Sequence, residues 1–392
     1  MTNHQSHIKV AYFLGALNRG GAESLILDIC RQHQHVSYDF ICVYRHEGNM
    51  SDDFRASGAN LIQVWKGRGL LRYLWHIRQL ILREQITIAH SQTGANTILL
   101  FFALLGLNIK IVTTFHGHMF ADAPRWQRKV VYHASERILC VSNYQKQYYE
   151  RKWNLPKQNK LQVVYNGIDF TKLDSEKIER IRELENKSVK LAMVGNFIKG
   201  RSQMVVVRAL ERLTHIDAMR LDFANLEPTA LDASHLDFYF IGRRDDSEPE
   251  RYDDCVKYCE TLGLKNVHFM GSRNDVPSIL KTIDGFVYST EHDTFGIAVI
   301  EAIAAGLPVV VNDWPVMKEV CSLQLPEENN AIRFFKTDDV DDCVKQINIL
   351  LDDLTNKKEQ QIMECRQASD VVRQRYSIQT HINNLYTIYQ SL

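Results

Sequence analysis

Several features are missing from this 392-residue chain, and each absence removes a class of protein. None of its eight cysteines belongs to a C-x-x-C pair. Cys255 and Cys259, the closest two, have no neighbouring His or Cys pair, so buried reduced thiols are expected in place of a zinc site or disulfides. The opening Met-Thr-Asn-His-Gln-Ser-His has no apolar signal region, and a cytoplasmic protein is expected. The longest apolar run, Ile98 to Leu107, is about half of what a bilayer crossing needs and reads as a core helix. No short repeat, low-complexity stretch or metal-binding carboxylate cluster stands out. Without an aromatic RNA motif or a zinc module, nucleic-acid binding has little support.

What the chain does contain is uneven charge. The totals are 47 Lys+Arg and 47 Asp+Glu, yet Met1 to Ile168 holds 20 of the basic residues against 10 of the acidic, which leaves 27 against 37 for the remainder. A basic first half points to an anionic partner such as a membrane surface, a lipid diphosphate or nucleic acid. Lys66, Arg68, Arg72, Arg78 and Arg83 are interleaved with Trp65, Tyr73 and Trp75, and Arg125, Arg128 and Lys129 flank Trp126. Two readings stand side by side here. One is a membrane-facing surface; the other is an ordinary helix over 69–84 that packs Leu70, Leu74, Ile77 and Ile81 on a sheet behind a solvated basic face.

Strand-like runs alternate with helical ones, the pattern of parallel sheets built from strand-helix-strand units. A first series covers Ile8–Leu14, Phe40–Tyr44, Ala59–Val64, Ile86–His90, Ile111–Phe115, Arg137–Val141 and Leu161–Tyr165. A charged helical connector is expected over Lys172–Lys187. The pattern then restarts with Lys190–Val194, Leu236–Ile241, Val267–Met270, Gly285–Tyr288 and Pro308–Val311. Two doubly wound, Rossmann-like domains are predicted, at 1–168 and 169–375, each able to bind ligands at the carboxyl ends of its strands. Residues 376–392 form a last helix with Ile378, Ile382, Leu385 and Ile388 at helical spacing.

The densest chemistry lies in 288–311. Ile297 to Ala305 is a good helix former with Thr294 as its expected N-cap, so the amides near Thr294, Phe295 and Gly296 would attract a diphosphate. Glu301 follows about two turns on, where its carboxylate can accept hydrogen bonds from a ribose diol. Asp293 precedes the helix. Seen alone, Asp293 reads as a cap and Glu301 as a solvated acid; the whole segment gives them another role.

That segment resembles the E-x7-E signature of the retaining GT-B glycosyltransferases of family 4, with Phe295-Gly296, Glu301-Ala302 and Gly306-Leu307-Pro308-Val309 in register. The first acid falls on Asp293, one methylene shorter than the usual Glu. Gly20-Gly21-Ala22-Glu23 is similar to the family's glycine loop, Thr114-Phe115-His116-Gly117 to its His-Gly element, and Asn166-Gly167-Ile168-Asp169 to the segment leading out of the first domain. Where the family carries an Arg and then a Lys for the departing diphosphate, this chain has Asn196 and Arg201, with Lys199 nearby. The loop Gly271 to Val276, containing Arg273, resembles the one beside the base.

The resemblance implies an α/β GT-B fold with a C-terminal cross-over helix returning to the first domain. It implies transfer, with retention, from a UDP- or GDP-sugar to a glycan or lipid-linked hydroxyl acceptor in bacterial surface polysaccharide assembly, peripheral to the inner face of the membrane. His116, Asp293 and Arg201 are the implied catalytic residues. Gly20, Gly21, Asn196, Arg201, Arg273, Thr294, Phe295, Gly296 and Glu301 are the implied nucleotide-sugar contacts. No metal or other cofactor is implied, because a helix start and basic side chains can replace a divalent ion. Asn196 and Asp293 leave room for a catalytically weakened binding or scaffold protein, and a nucleotide-sugar epimerase of the same fold is a further alternative.

Overall fold

A computed structural model describes residues 8–64, 69–174, 188–220 and 236–392, with backbone alone over 215–220. The opening heptapeptide, Trp65, Lys66, Arg68 and all but the first three residues of the expected 172–187 connector lie outside the described residues. The chain divides into two compact units, Met1–Asp169 with Tyr376–Leu392, and Phe170–Arg375.

The first unit holds seven parallel strands: β1 (Lys9–Ala16), β2 (Asp39–His46), β3 (Leu61–Gln63), β4 (Ile88–Ser91), β5 (Lys110–Phe115), β6 (Arg137–Cys140) and β7 (Leu161–Val163). Their order is β3-β2-β1-β4-β5-β6-β7, with Val10 of β1 between Phe40 and Ile88. Winding therefore reverses between β1 and β4, where an open α/β sheet leaves a crevice at its carboxyl edge. The helix Gly21–Arg31 buries Leu25, Ile26, Leu27, Ile29 and Cys30 on one face of the sheet. The C-terminal helix Ile378–Gln390 joins it there, burying Ile378, Ile382, Leu385 and Tyr389 in the cluster that holds Val10, Tyr12 and Leu25. Tyr389 takes the deep position expected for Ile388, which packs only at the margin. Ser377 caps that helix by accepting the Thr380 N–H at 3.1 Å.

Helices on the opposite face cover β1, β2 and β4 to β6. In Leu70–Arg83 the buried set is Tyr73, Ile77, Leu80 and Ile81, whereas Leu70, expected inside, is exposed. The inward stripe is thus rotated: Tyr73 is buried where Leu70 was expected, with the Arg45 guanidinium 5.3 Å from its ring centroid. The apolar run 98–107 contributes to the helix Gly94–Ala103, but Phe102 and Leu105 are exposed, so only one side of it is core.

The second unit has six parallel strands: β8 (Val189–Val194), β9 (Leu236–Ile241), β10 (Val267–Phe269), β11 (Gly285–Tyr288), β12 (Val309–Asn312) and β13 (Ile332–Phe335). The order is β10-β9-β8-β11-β12-β13, reversing between β8 and β11. β11 and β12 are buried at every residue, as continuous apolar runs of a two-sided parallel sheet should be. β13 is a strand the sequence pattern did not reveal. Its Arg333 interrupts the apolar run, yet it is buried and paired with Asp353 and, at 2.8 Å, with Gln361. The charge is internal because its partners come from helices far along the chain. All eight cysteines are buried and unbridged.

Candidate functional site

In the second unit, two loops leave the switch point together. The loop after β8 runs from Gly195 to Ser202; the one after β11 runs from Ser289 to Gly296. Gly200 lets them meet. Its φ is +84°, and a Cβ there would stand 2.2 Å from the Cβ of His292. The Gly200 carbonyl accepts from Thr290 Oγ1 and from the Glu291 N–H, both at 2.8 Å. Arg201 and Thr290 form a backbone bridge, and Ser202 Oγ donates to Glu291 at 2.5 Å.

This zipping brings Arg201 and Asp293 together. The Arg201 guanidinium is ion-paired with Asp293 Oδ2 and donates to the Tyr288 hydroxyl, while lying 5.2 Å from the Tyr288 ring centroid. Tyr288 donates to the same Oδ2 at 2.7 Å. The other oxygen, Oδ1, accepts the Thr294 N–H at 2.9 Å. Asp293 is therefore supplied with three donors and only 10 % of its side chain is exposed; Arg201 retains 21 %. Sequence reasoning identified the two charges as separate elements of a site. It missed Tyr288, Thr290, Ser202 and Glu291, whose only signal was their place at the carboxyl end of a strand beside the reversal.

The helix Ile297–Ala304 begins at Gly296, which sits in the left-handed region at φ +81° with no side-chain cap. Thr294 is not the N-cap. Its backbone N–H is turned back onto Asp293, and the two-residue displacement puts a glycine, which has no side chain to offer the first-turn amides, at the cap position. Phe295 is buried at 2 % exposure and anchors the turn. Glu301 is partly exposed, on a helix whose Val299, Ile300, Ala302 and Ile303 are buried.

The remaining positions are further out. Asn196 accepts the Arg243 N–H at 3.0 Å through Oδ1, tying the ends of β8 and β9. Arg273 is held in a two-pronged pair with Asp275, at 2.8 and 2.6 Å. In the first unit, Gly20 is the extended N-cap of the helix Gly21–Arg31, which also starts without a side-chain cap. His116 Nε2 meets Gln92 Oε1 at 2.8 Å, and burial, assisted by His381, pushes its pKa down to about 3. It is a neutral imidazole near neutral pH, suited to hydrogen bonding and not to carrying charge. His118 is buried against Tyr148, with ring centroids 4.4 Å apart. Among the described residues, no group of three or more His, Cys, Asp and Glu is arranged to hold a metal.

Two family models match the chain. Residues 19–172 match Glycosyltransferase Family 4, and residues 188–353 match Glycosyl transferases group 1. The chain belongs to the family-4 glycosyltransferases of GT-B fold. A glycosyltransferase from Rickettsia africae has the same fold, with a TM-score of 0.79 at 16 % identity over 98 % of both chains. So does Anabaena HepE, solved with UDP and glucose, at a TM-score of 0.77 and 14 % identity, covering 98 % of this chain and 100 % of that one. Among curated relatives, the UDP-Gal:alpha-D-GlcNAc-diphosphoundecaprenol alpha-1,3-galactosyltransferase of Escherichia coli is 25 % identical over 259 residues. That match spans 62 % of this chain and 62 % of the relative, less than two thirds of its length. The O-antigen biosynthesis glycosyltransferase WclY of Escherichia coli is 20 % identical over 80 % of this chain and 82 % of its own.

Proposed function

We propose that this family-4 protein transfers a hexosyl-type sugar, with retention, from a nucleoside diphosphate sugar to a hydroxyl of a lipid-linked glycan in bacterial surface polysaccharide assembly. The observation that carries the reading is the Arg201–Asp293–Tyr288 cluster beside the uncapped helix start at Gly296. Cleaving the anomeric C–O bond leaves negative charge on the diphosphate. A guanidinium and aligned amides placed where that charge develops stabilise it without a metal. Without ligand, Arg201 is balanced by Asp293; a diphosphate, with more charge and more acceptor oxygens, is its competing partner.

Asp293 is poorly suited to be a nucleophile. Three donors already occupy its lone pairs, which lowers its nucleophilicity and fixes its position. Its role is to position Arg201 and the donor sugar while the acceptor attacks from the leaving-group face. Glu301 is assigned to the ribose, Arg273 to the base side, and His116 in the first unit to a sugar hydroxyl. UDP is the favoured base because the Escherichia coli relative is named for UDP-Gal and HepE was solved with UDP. GDP-sugars are the second choice.

The acceptor is assigned to the first unit and to an anionic membrane surface. No described helix is long and apolar enough to cross a bilayer. On the outer face of the helices covering β1, β2 and β4 to β6, however, Leu71 is 82 % exposed, Trp75 55 %, Trp126 56 % and Met119 92 %. Large apolar side chains set among arginines and lysines have the composition of an interfacial layer.

The test is a thermal shift panel of UDP, GDP and ADP, followed by mass spectrometry of incubations with the matching sugars and a polyprenyl-diphosphate glycan. Protection by UDP with acceptor-dependent product is expected. Protection without turnover would favour the binding-subunit reading, and conversion of donor without acceptor an epimerase. No protection by any nucleotide sinks the assignment.

A further inference from the structure

A second concentration of positive charge lies in the first unit, on residues not assigned to the donor. Between the helices Arg125–Ala134 and Asn143–Trp153 there is an open cavity of about 430 Å³. Arg125, Arg128, Lys129 and Lys152 line it, with Tyr132 and Trp153 as its aromatic walls. Among the described residues the acid at this set is Asp122, which pairs with Lys152 at 2.9 Å and also feels the charge of Arg128. Arg128 donates one Nη1 bond to the Lys152 carbonyl at 3.0 Å, which fixes the guanidinium, while its buried Nε has no hydrogen-bond partner. Arg125 and Lys129 have no ion-pair partner among the described residues.

Arg125 and Lys129 stand beside Arg128 and Lys152 with Asp122 alone, among the described residues, to offset four cations, and the excess is relieved by an anion with several acceptor oxygens. Both helices belong to the layer that also exposes Trp126 and Met119. A tetrahedral phosphate oxyanion accompanied by apolar surface fits this combination better than a carboxylate.

We propose that this cavity is a headgroup site, which takes the phosphodiester of an anionic phospholipid while Trp126 and Met119 enter the interface. The inference rests on the membrane reading given above and narrows it to one pocket. Arg125 and Lys129 supply the two mobile charges; Arg128 is the preset one. Lys152, already paired with Asp122, contributes least.

Flotation with vesicles of phosphatidylglycerol in phosphatidylcholine tests the site on the full chain. The Arg125→Glu/Lys129→Glu double variant should bind these vesicles at least about tenfold more weakly than wild type, with a smaller loss for Arg72→Glu/Arg83→Glu on the helix Leu70–Arg83. Thermal stabilisation by UDP should be unchanged in both. If charge reversal leads to misfolding, Arg125→Gln/Lys129→Gln provides the same comparison.

Equal binding to pure phosphatidylcholine, or wild-type binding by the double variant, would overturn the proposal. A larger loss from Arg72→Glu/Arg83→Glu would also overturn the pocket while leaving membrane docking intact. Stabilisation by inorganic pyrophosphate that depends on Arg125 and Lys129, without vesicle binding, would reassign the cavity to a soluble phosphate ligand and reject the lipid. Absence of a UDP effect in the wild type, with vesicle binding kept, would instead count against the nucleotide-sugar reading.

Discussion

At the reversal in the first unit, the carboxyl half of the sheet is filled by neutral, interlocked side chains. His90 joins Tyr389 Oη at 2.6 Å and Thr114 Oγ1 at 2.7 Å, Tyr389 donates to Tyr12 at 3.2 Å, and Tyr12 meets Tyr38 at 2.6 Å. Burial pushes His90 to about 3 and His381 to about 4, and raises the hydroxyls of Tyr12, Tyr38 and Tyr389 well above the usual tyrosine range. The second unit repeats the same strand logic but leaves an ion pair, Arg201 with Asp293, partly open to solvent. Equivalent architecture thus produces two environments. One binds the C-terminal helix through uncharged hydrogen bonds; the other keeps a charge that can change partners.

The sharpest way to break this contrast is to remove the exchangeable charge. Arg201→Ala should lower kcat/KM by roughly a hundredfold to a thousandfold, the scale of losing a preorganised donor to a developing oxyanion. Steady-state assays with UDP-sugar would read it, and a loss under about threefold would mean that the diphosphate is held elsewhere. Within the same unit, Arg333→Ala should act on stability alone, because it removes the buried cation from Asp353, leaves it only the more exposed Lys357, and strips Gln361 of its partner. A loss of about 3–5 kcal/mol in urea unfolding is expected, with UDP binding preserved below the transition.

The neutral network predicts a pH response of definite sign. His90, His116 and His381 have folded pKa values near 3, 3 and 4 against an ordinary value of 6.5, so the unfolded chain binds more protons below that value. Their effect is absent above pH 6.5; stability then falls as pH drops toward 4, by up to about 1.4 kcal/mol per pH unit for each histidine. Denaturant titrations at stepped pH should show that slope, and His90→Gln should flatten it. An unaltered slope would mean the imidazole is not held neutral.

Smaller effects refine the comparison. Gly167→Ala places a Cβ 2.6 Å from His381 Cβ and 2.8 Å from Ile378 Cα, where the Asn166–Asp169 segment passes the C-terminal helix. A cost of about 1–3 kcal/mol is expected, visible as earlier thermal unfolding with donor binding kept. Asn196→Arg restores a second cation near Arg201 and should tighten UDP binding severalfold by calorimetry; no change would place Asn196 outside the reach of the diphosphate.

Much of this was readable in the linear order of residues. Leu236–Ile241 and Gly285–Tyr288 are strands with the expected bounds, because buried parallel strands are short, continuous apolar runs between polar breaks. β13 was not readable, since Arg333 looks like a surface charge until Asp353 and Gln361 are brought to it. Thr294 failed as a cap for a related reason. Cap preference is local, but the left-handed turn at Gly296 starts the helix two residues later, while Asp293, fixed by Arg201 and Tyr288, holds the Thr294 amide outside it.

The sequence by itself determined the alternation of strands and helices, the family, and the separate positions of Arg201, Asp293 and Glu301. Those follow from hydrophobic periodicity and from residue types at short spacing. Only tertiary structure decided which groups share a proton or a charge: the Arg201–Asp293–Tyr288 cluster, the neutral histidines and the cations around the Arg125 cavity. Electrostatic and hydrogen-bond energies depend on distance and burial, and the sheet order sets both by joining residues that are remote along the chain.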